Sequence, residues 1–115
     1  MIVLVVDDDA DTRATLRDFL EDEGYTVMTA ASGAEALRCL ERTRPDVMLL
    51  DMMMPMTSGN SLYEQLQTKP GFASIPILGV TAEPSRAPIG MPTLEKPIKL
   101  HKLLELVELC CEGSR

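Results

Sequence analysis

The chain opens on an unbroken apolar run, Ile2 to Val6, rich in β-branched residues. Such a run predicts a strand covered on both faces, since a half-exposed strand would alternate apolar and polar positions. From Asp9 to Glu23 the pattern changes period: Leu16, Phe19 and Leu20 fall on one helical face, and Gly24 stands where a helix ends in a left-handed residue. Residues 25–30 predict a second strand. Ser32 followed by Glu35 forms a capping box that opens a helix through Leu37 and Leu40 and ends before Pro45. Residues 46–51 predict a third buried strand, 58–68 a helix carrying Leu62, Tyr63 and Leu66, 75–81 a fourth strand and 93–95 a short fifth. A last helix over about 98–112 aligns Leu100, Leu103, Leu104, Val107 and Cys111 on one stripe.

Strands alternating with helices predict an α/β fold, a doubly wound parallel sheet with helices on both faces. Ligands of such sheets sit beyond the carboxyl ends of the strands. Polar residues gather at that edge: Asp7, Asp8 and Asp9 after the first strand, Asp51 after the third, Thr81 after the fourth and Lys96 after the fifth. If the first and third strands are neighbours, Asp7, Asp8 and Asp51 converge. Three carboxylates so close repel one another unless a cation neutralises them, and Mg²⁺ favours one or two carboxylates, water and a phosphate oxygen. Lys96 adds a positive charge and Thr81 a hydroxyl, which completes a cradle for a phosphoryl group in transfer.

Composition narrows the function. The 115 residues are read as one domain, 1–115, long enough to bury a core without cross-links. Acids outnumber Lys and Arg 18 to 11, for a formal charge of −7, which argues against nucleic acid or an anionic membrane as partner. No stretch reaches the ~20 apolar residues of a membrane span. The start lacks the basic region of a signal peptide. Cys39, Cys110 and Cys111 lack metal-ligand spacing and fit reduced thiols of a cytoplasmic protein.

Four segments together, VLVVDDD, DVMLLDMMMPMTSG, PILGVTA and LEKP, resemble in order the signatures of response-regulator receiver domains, the modules of two-component signalling. The resemblance runs nearly end to end. It implies a flavodoxin-like five-stranded sheet of order 2-1-3-4-5. It implies that Asp51 accepts a phosphoryl group from a sensor histidine kinase or a histidine phosphotransfer protein. Mg²⁺ would be held by Asp8 and Asp51 directly, by Asp7 mainly through water, and by the main-chain carbonyl of Met53. Thr81 and Lys96 would contact the phosphoryl oxygens, and the Lys96–Pro97 peptide would be cis. Met53 and Glu83 occupy the two places that flank the path of an attacking water in this family.

Plainer readings compete. Asp9 or Asp11 caps the first helix. Asp7, Asp9 and Asp11 mimic the start of an EF-hand loop, but Thr12 and Asp18 stand where its glycine and closing glutamate belong. The methionines at 52–54 and 56 offer Cu(I)-type thioethers, yet adaptable packing explains them better. His101 is expected to face solvent. A pseudo-receiver that takes no phosphoryl group is one rival function. A haloacid dehalogenase-type phosphatase is another, weakened because Asp11 replaces the Thr of its D-x-D-x-T arrangement.

One region departs from the family pattern. Between Thr81 and Lys96 lie 14 residues, including Pro84, Pro88, Gly90 and Pro92. Prolines inside a helix cost ~3 kcal/mol or more each, so the usual fourth helix is expected to be missing or reduced to a loop. The sheet flank there is expected to be thinly covered. Thr93 stands in place of the family's usual signalling aromatic, and a homodimer through the usual fourth-helix face is not expected. Leu106 and Leu109 are the alternative contact.

Overall fold

The computed structural model describes residues 1–54, 59–88 and 90–113. Five parallel strands, β1 (Ile2–Val6), β2 (Thr26–Ala30), β3 (Val47–Asp51), β4 (Ile77–Thr81) and β5 (Thr93–Glu95), form one sheet of order β2-β1-β3-β4-β5. The helices are α1 (Ala10–Asp22), α2 (Gly33–Arg42), α3 (Gly59–Gln67) and α4 (Leu100–Gly113). β1 lies between β2 and β3, pairing Val3 with Val27 on one side and with Val47 on the other. The strand order therefore reverses at β1–β3, which sets the ends of these two strands side by side.

Alternation along each strand divides the core into two layers. Val3, Val5, Leu49, Leu78, Val80 and Leu94 face Leu16 and Leu20 of α1 and Leu103, Val107 and Cys111 of α4. Leu4, Val6, Met48, Leu50 and Ile77 face Ala36 and Leu40 of α2 and Leu62 and Leu66 of α3. Both faces of β3 and β4 are buried, which is why they read as unbroken apolar runs.

Local signals act as expected at several ends. Gly24 takes φ +94°, a value L side chains rarely adopt, and its amide donates to the Glu21 carbonyl to close α1. The Ser32 hydroxyl accepts the Glu35 amide at 3.2 Å at the start of α2. Asp9 holds the N-cap position of α1, and its carboxylate accepts the Thr12 hydroxyl at 2.5 Å. That bond is the main reason its acidity is raised, with its pKa below the ordinary carboxylate value.

The stripe on α4 differs from expectation. Leu103, Val107 and Cys111 are buried, but Leu100 is exposed, and Leu106 and Cys110 pack on the core instead. The helix begins only at Leu100, so that residue lies in the first turn rather than over the sheet. Leu106 is therefore half-buried, while Leu109 is 61% exposed. The fourth strand begins at Ile77, two residues late, because Pro76 contributes only its carbonyl, to the Met48 amide.

Between β4 and β5 the described residues form only a 3₁₀ turn, Pro84–Arg86. The flank it leaves is covered by a side chain rather than by a helix. Met91 folds onto the sheet and is 8% exposed, in one cluster with Met52 and Met54. A Cβ built on Gly79 would stand 2.6 Å from the Met91 sulfur and 3.4 Å from Cγ of Met52. The glycine thus makes room for a methionine where a helix would otherwise pack. Met52 and Met54 are filler, as the adaptable-packing reading expects, while Pro55 and Met56 lie outside the described residues.

Candidate active site

The strand ends bring the expected residues together. Val6 and Leu50 are register partners in neighbouring strands, so the residues that follow, Asp7 and Asp51, emerge side by side. One carboxylate oxygen each from Asp7, Asp8 and Asp51 lies within 4.8 Å of the others. Asp7 and Asp51 are buried, and Asp8 is exposed at the mouth. β4 carries Thr81 to the same edge at 2% exposure, and the turn after β5 supplies Lys96.

Asp51 is held from two sides at one oxygen. Its Oδ1 accepts the Met53 amide at 2.9 Å and the Lys96 ammonium at 3.1 Å. Lys96 is 34% exposed against 3% for Asp51, so the pair is only partly screened by water. The Lys96–Pro97 peptide is cis, as the resemblance implied.

Asp7 is anchored by backbone contacts. Its amide donates to the Ala30 carbonyl at 3.1 Å, and its Oδ1 accepts the Asp9 amide at 2.9 Å. Its carbonyl accepts Nη1 of Arg13 at 2.7 Å, a contact that the sequence pattern did not single out. An arginine in the first turn of the helix that follows the strand-end acids was the available signal. Burial pushes the Asp7 carboxyl above the ordinary carboxylate value. The Asp9 amide opposes this, and the Asp51 and Asp8 charges add to it.

Thr81 accepts the Glu83 amide on its hydroxyl oxygen at 3.0 Å. Glu83 in turn pairs with Arg86 at 2.8 Å across the 3₁₀ turn. Both side chains of that pair are largely in water, so it contributes little to stability. Beside Lys96 a groove of about 440 Å³ runs between α1 and the start of α4, with Thr12, Thr15, Pro97, Ile98 and Leu100 among its walls.

The donor set fits a hard divalent cation. Three carboxylates, two of them buried, face a single ammonium, and their oxygens lie close enough to share one ion. The other acids of the first helix add nothing to this cluster: Asp9 and Asp11 are exposed, and β1 precedes them where an EF-hand would need a helix. His101 is exposed on α4. Cys39, Cys110 and Cys111 carry thiols, and burial pushes the Cys110 thiol above its ordinary pKa.

Comparison with known proteins identifies the family. The family described as "Response regulator receiver domain" matches residues 3–108. An uncharacterized 14.6 kDa protein of Leptolyngbya boryana is 37% identical over 96% of this chain and 90% of its own. Response regulator MprA of Mycobacterium ulcerans is 43% identical over 72% of this chain, but only 35% of its own length is matched. Among solved structures, the receiver domain of sensor histidine kinase PA1611 from Pseudomonas aeruginosa superimposes with a TM-score of 0.86 at 26% identity. It covers 96% of this chain and 97% of its own, and is described with a magnesium ion coordinated in the active-site cleft. The chain belongs to the response regulator receiver domain family, a signalling module of two-component systems. Among the described residues, no helix is long and apolar enough to cross a membrane.

Proposed function

We propose that residues 1–115 form one receiver domain that accepts a phosphoryl group on Asp51 from a phosphohistidine, with Mg²⁺ bound, in the cytoplasm. The observation that carries this reading is the Asp51 carboxylate. It is 97% shielded from water, held at Oδ1 by Lys96 and Met53, and set against Asp7 and Asp8.

With Oδ1 held from two sides, Oδ2 is assigned as the nucleophile. It attacks phosphorus in line, a P–O bond forms, and the N–P bond breaks with its electron pair returning to the imidazole nitrogen. Lys96 follows the charge that develops on the phosphoryl oxygens, and Thr81 donates its hydroxyl to another of them. Asp7, Asp8, Asp51 and the Met53 carbonyl would hold the Mg²⁺, whose chemistry is to neutralise the carboxylates and the phosphoryl oxygens together. Burial of Asp51 keeps competing water away, so positioning rather than acid–base chemistry sets the rate.

The partner is a sensor histidine kinase or a histidine phosphotransfer protein, and the groove between α1 and α4 opens beside Lys96 where such a donor must approach. The net charge of −7 opposes direct binding of nucleic acid. A homodimer, where one forms, does not use the usual fourth-helix face, because the described residues there form only a 3₁₀ turn.

Incubation with acetyl phosphate and Mg²⁺ followed by intact mass tests the reading. One phosphoryl adduct is expected for the wild type and none for Asp51→Asn. An adduct that survives this substitution at full yield would overturn it. An adduct on Asp7 with turnover of the donor would instead favour the phosphatase, and no adduct on the wild type a pseudo-receiver.

A further inference from the structure

Met53 is out of place among the methionines. Of those described, Met48, Met52, Met54 and Met91 are buried, at 0 to 8% exposure, and Met28 on β2 is half-buried against the core, whereas Met53 is 49% exposed. Met1 is also exposed, at 40%, but it precedes β1 at the opposite end of the sheet. A flexible apolar side chain is thus held in water directly beside the site, on the residue whose amide bonds Asp51 Oδ1 at 2.9 Å. Packing accounts for its two neighbours and not for it.

We infer that Met53 is a site of reversible oxidation by hydroperoxides, and that its oxidation shortens the lifetime of the phosphoryl group on Asp51. The second half rests on the reading of Asp51 given above. The chemistry needs only the thioether and the oxidant. The sulfur lone pair attacks the terminal peroxide oxygen, an S–O bond forms and the O–O bond breaks. Sulfur loses two electrons, and the proton of the transferred oxygen passes to the departing oxygen, which leaves as water or an alcohol. Thioethers at a few per cent exposure are shielded from this attack, so exposure alone sets the order of reaction.

The consequence follows from the change in hydrogen bonding. A thioether is a weak acceptor, whereas a sulfoxide is polar and accepts strongly through oxygen. An acceptor at the mouth of the site can orient a water toward phosphorus, which the unmodified side chain cannot do. Methionine sulfoxide is reducible enzymatically, one enzyme for each epimer, so the change is not a terminal lesion.

The test has two independent readouts. Treat the protein with limiting hydrogen peroxide and map sulfoxides by peptide mass spectrometry. Met53 is expected to oxidise well ahead of Met48, Met52, Met54 and Met91 and ahead of the half-buried Met28, with Met1 as the exposed reference. Equal oxidation of Met53 and the buried methionines would overturn the site. Then load oxidised and untreated protein with acetyl phosphate and follow loss of the adduct by mass. Decay at least twofold faster is expected after oxidation, restored by the two sulfoxide reductases, and unaffected by peroxide in Met53→Leu. Identical decay, or the same acceleration in Met53→Leu, would overturn the regulatory role. If untreated protein takes no phosphoryl group, the failure belongs to the reading of Asp51 and the lifetime claim falls with it. The oxidation map still decides the site.

Discussion

Replacing Gly79 by Ala probes how the sheet is closed where a helix is missing. The added Cβ would sit 2.6 Å from the Met91 sulfur, with Cγ and the sulfur of Met52 at 3.4 and 3.5 Å. Non-bonded heavy atoms are at ease near ~3.5–4 Å, so the Met91 sulfur must retreat by roughly 1 Å. Overpacking of this kind costs about 1–3 kcal/mol. Against it, alanine restricts the unfolded chain more than glycine does, which returns ~0.4–1 kcal/mol. The net expectation is a loss of about 1 kcal/mol, or roughly 4 °C in Tm for a chain of this length. Removing the obstruction should reverse the sign. In a Met91→Ala background, Gly79→Ala has nothing to displace and should stabilise by ~0.4–1 kcal/mol. Urea unfolding of the four proteins gives a double-mutant cycle with an expected coupling of about 1–3 kcal/mol. Equal effects of Gly79→Ala in both backgrounds, within ~0.3 kcal/mol, would show that Met91 does not cover this strand.

Two further outcomes concern the acids. Burial raises the Asp7 pKa in the folded protein above its unfolded value, so its ionisation opposes folding. Its contribution is fully favourable below the unfolded pKa and is lost as pH rises through the folded one. Without Mg²⁺, Asp7→Asn should therefore be more stable than the wild type at pH 7, with the gap closing below about pH 4; a gap that widens toward acid would reverse the assignment. Asp8→Ala should weaken Mg²⁺ binding tenfold or more, and by more than Asp7→Ala. Calorimetric titration showing wild-type affinity in Asp8→Ala would remove that residue from the metal site.

Much of this was legible along the chain because period and punctuation act locally. Apolar runs at 2–6, 46–51 and 75–81 mark strands buried on both faces, and Gly24 and Ser32 mark helix ends through bonds to residues a few positions away. The site residues could be found for a related reason: each stands at the end of a strand, and parallel strands deliver their ends to one edge. The prolines at 84, 88 and 92 likewise exclude a regular helix by backbone chemistry alone.

What escaped depends on contacts between distant segments. The Asp46 carboxylate accepts the Ile2 amide at 2.7 Å, and Arg44 reaches the Gly71 carbonyl and the Ser74 hydroxyl, both at 2.8 Å, with no local pattern to announce them. Leu100 and Leu106 exchange their expected burial because helical period defines a face but not where the helix starts over the sheet. Arg13 belongs to the site only because α1 turns back over the end of β1. Sequence by itself determined the α/β class, the acidic edge, the lysine and threonine opposite it, and the loss of a helix before β5. Only tertiary structure decided that Met91 fills the space over Gly79, that Lys96 reaches the same oxygen of Asp51 as the Met53 amide, and that Met53 faces water while Met52 and Met54 do not. Periodicity reports which side of an element a residue occupies, whereas burial and contact depend on what the rest of the chain places against that side.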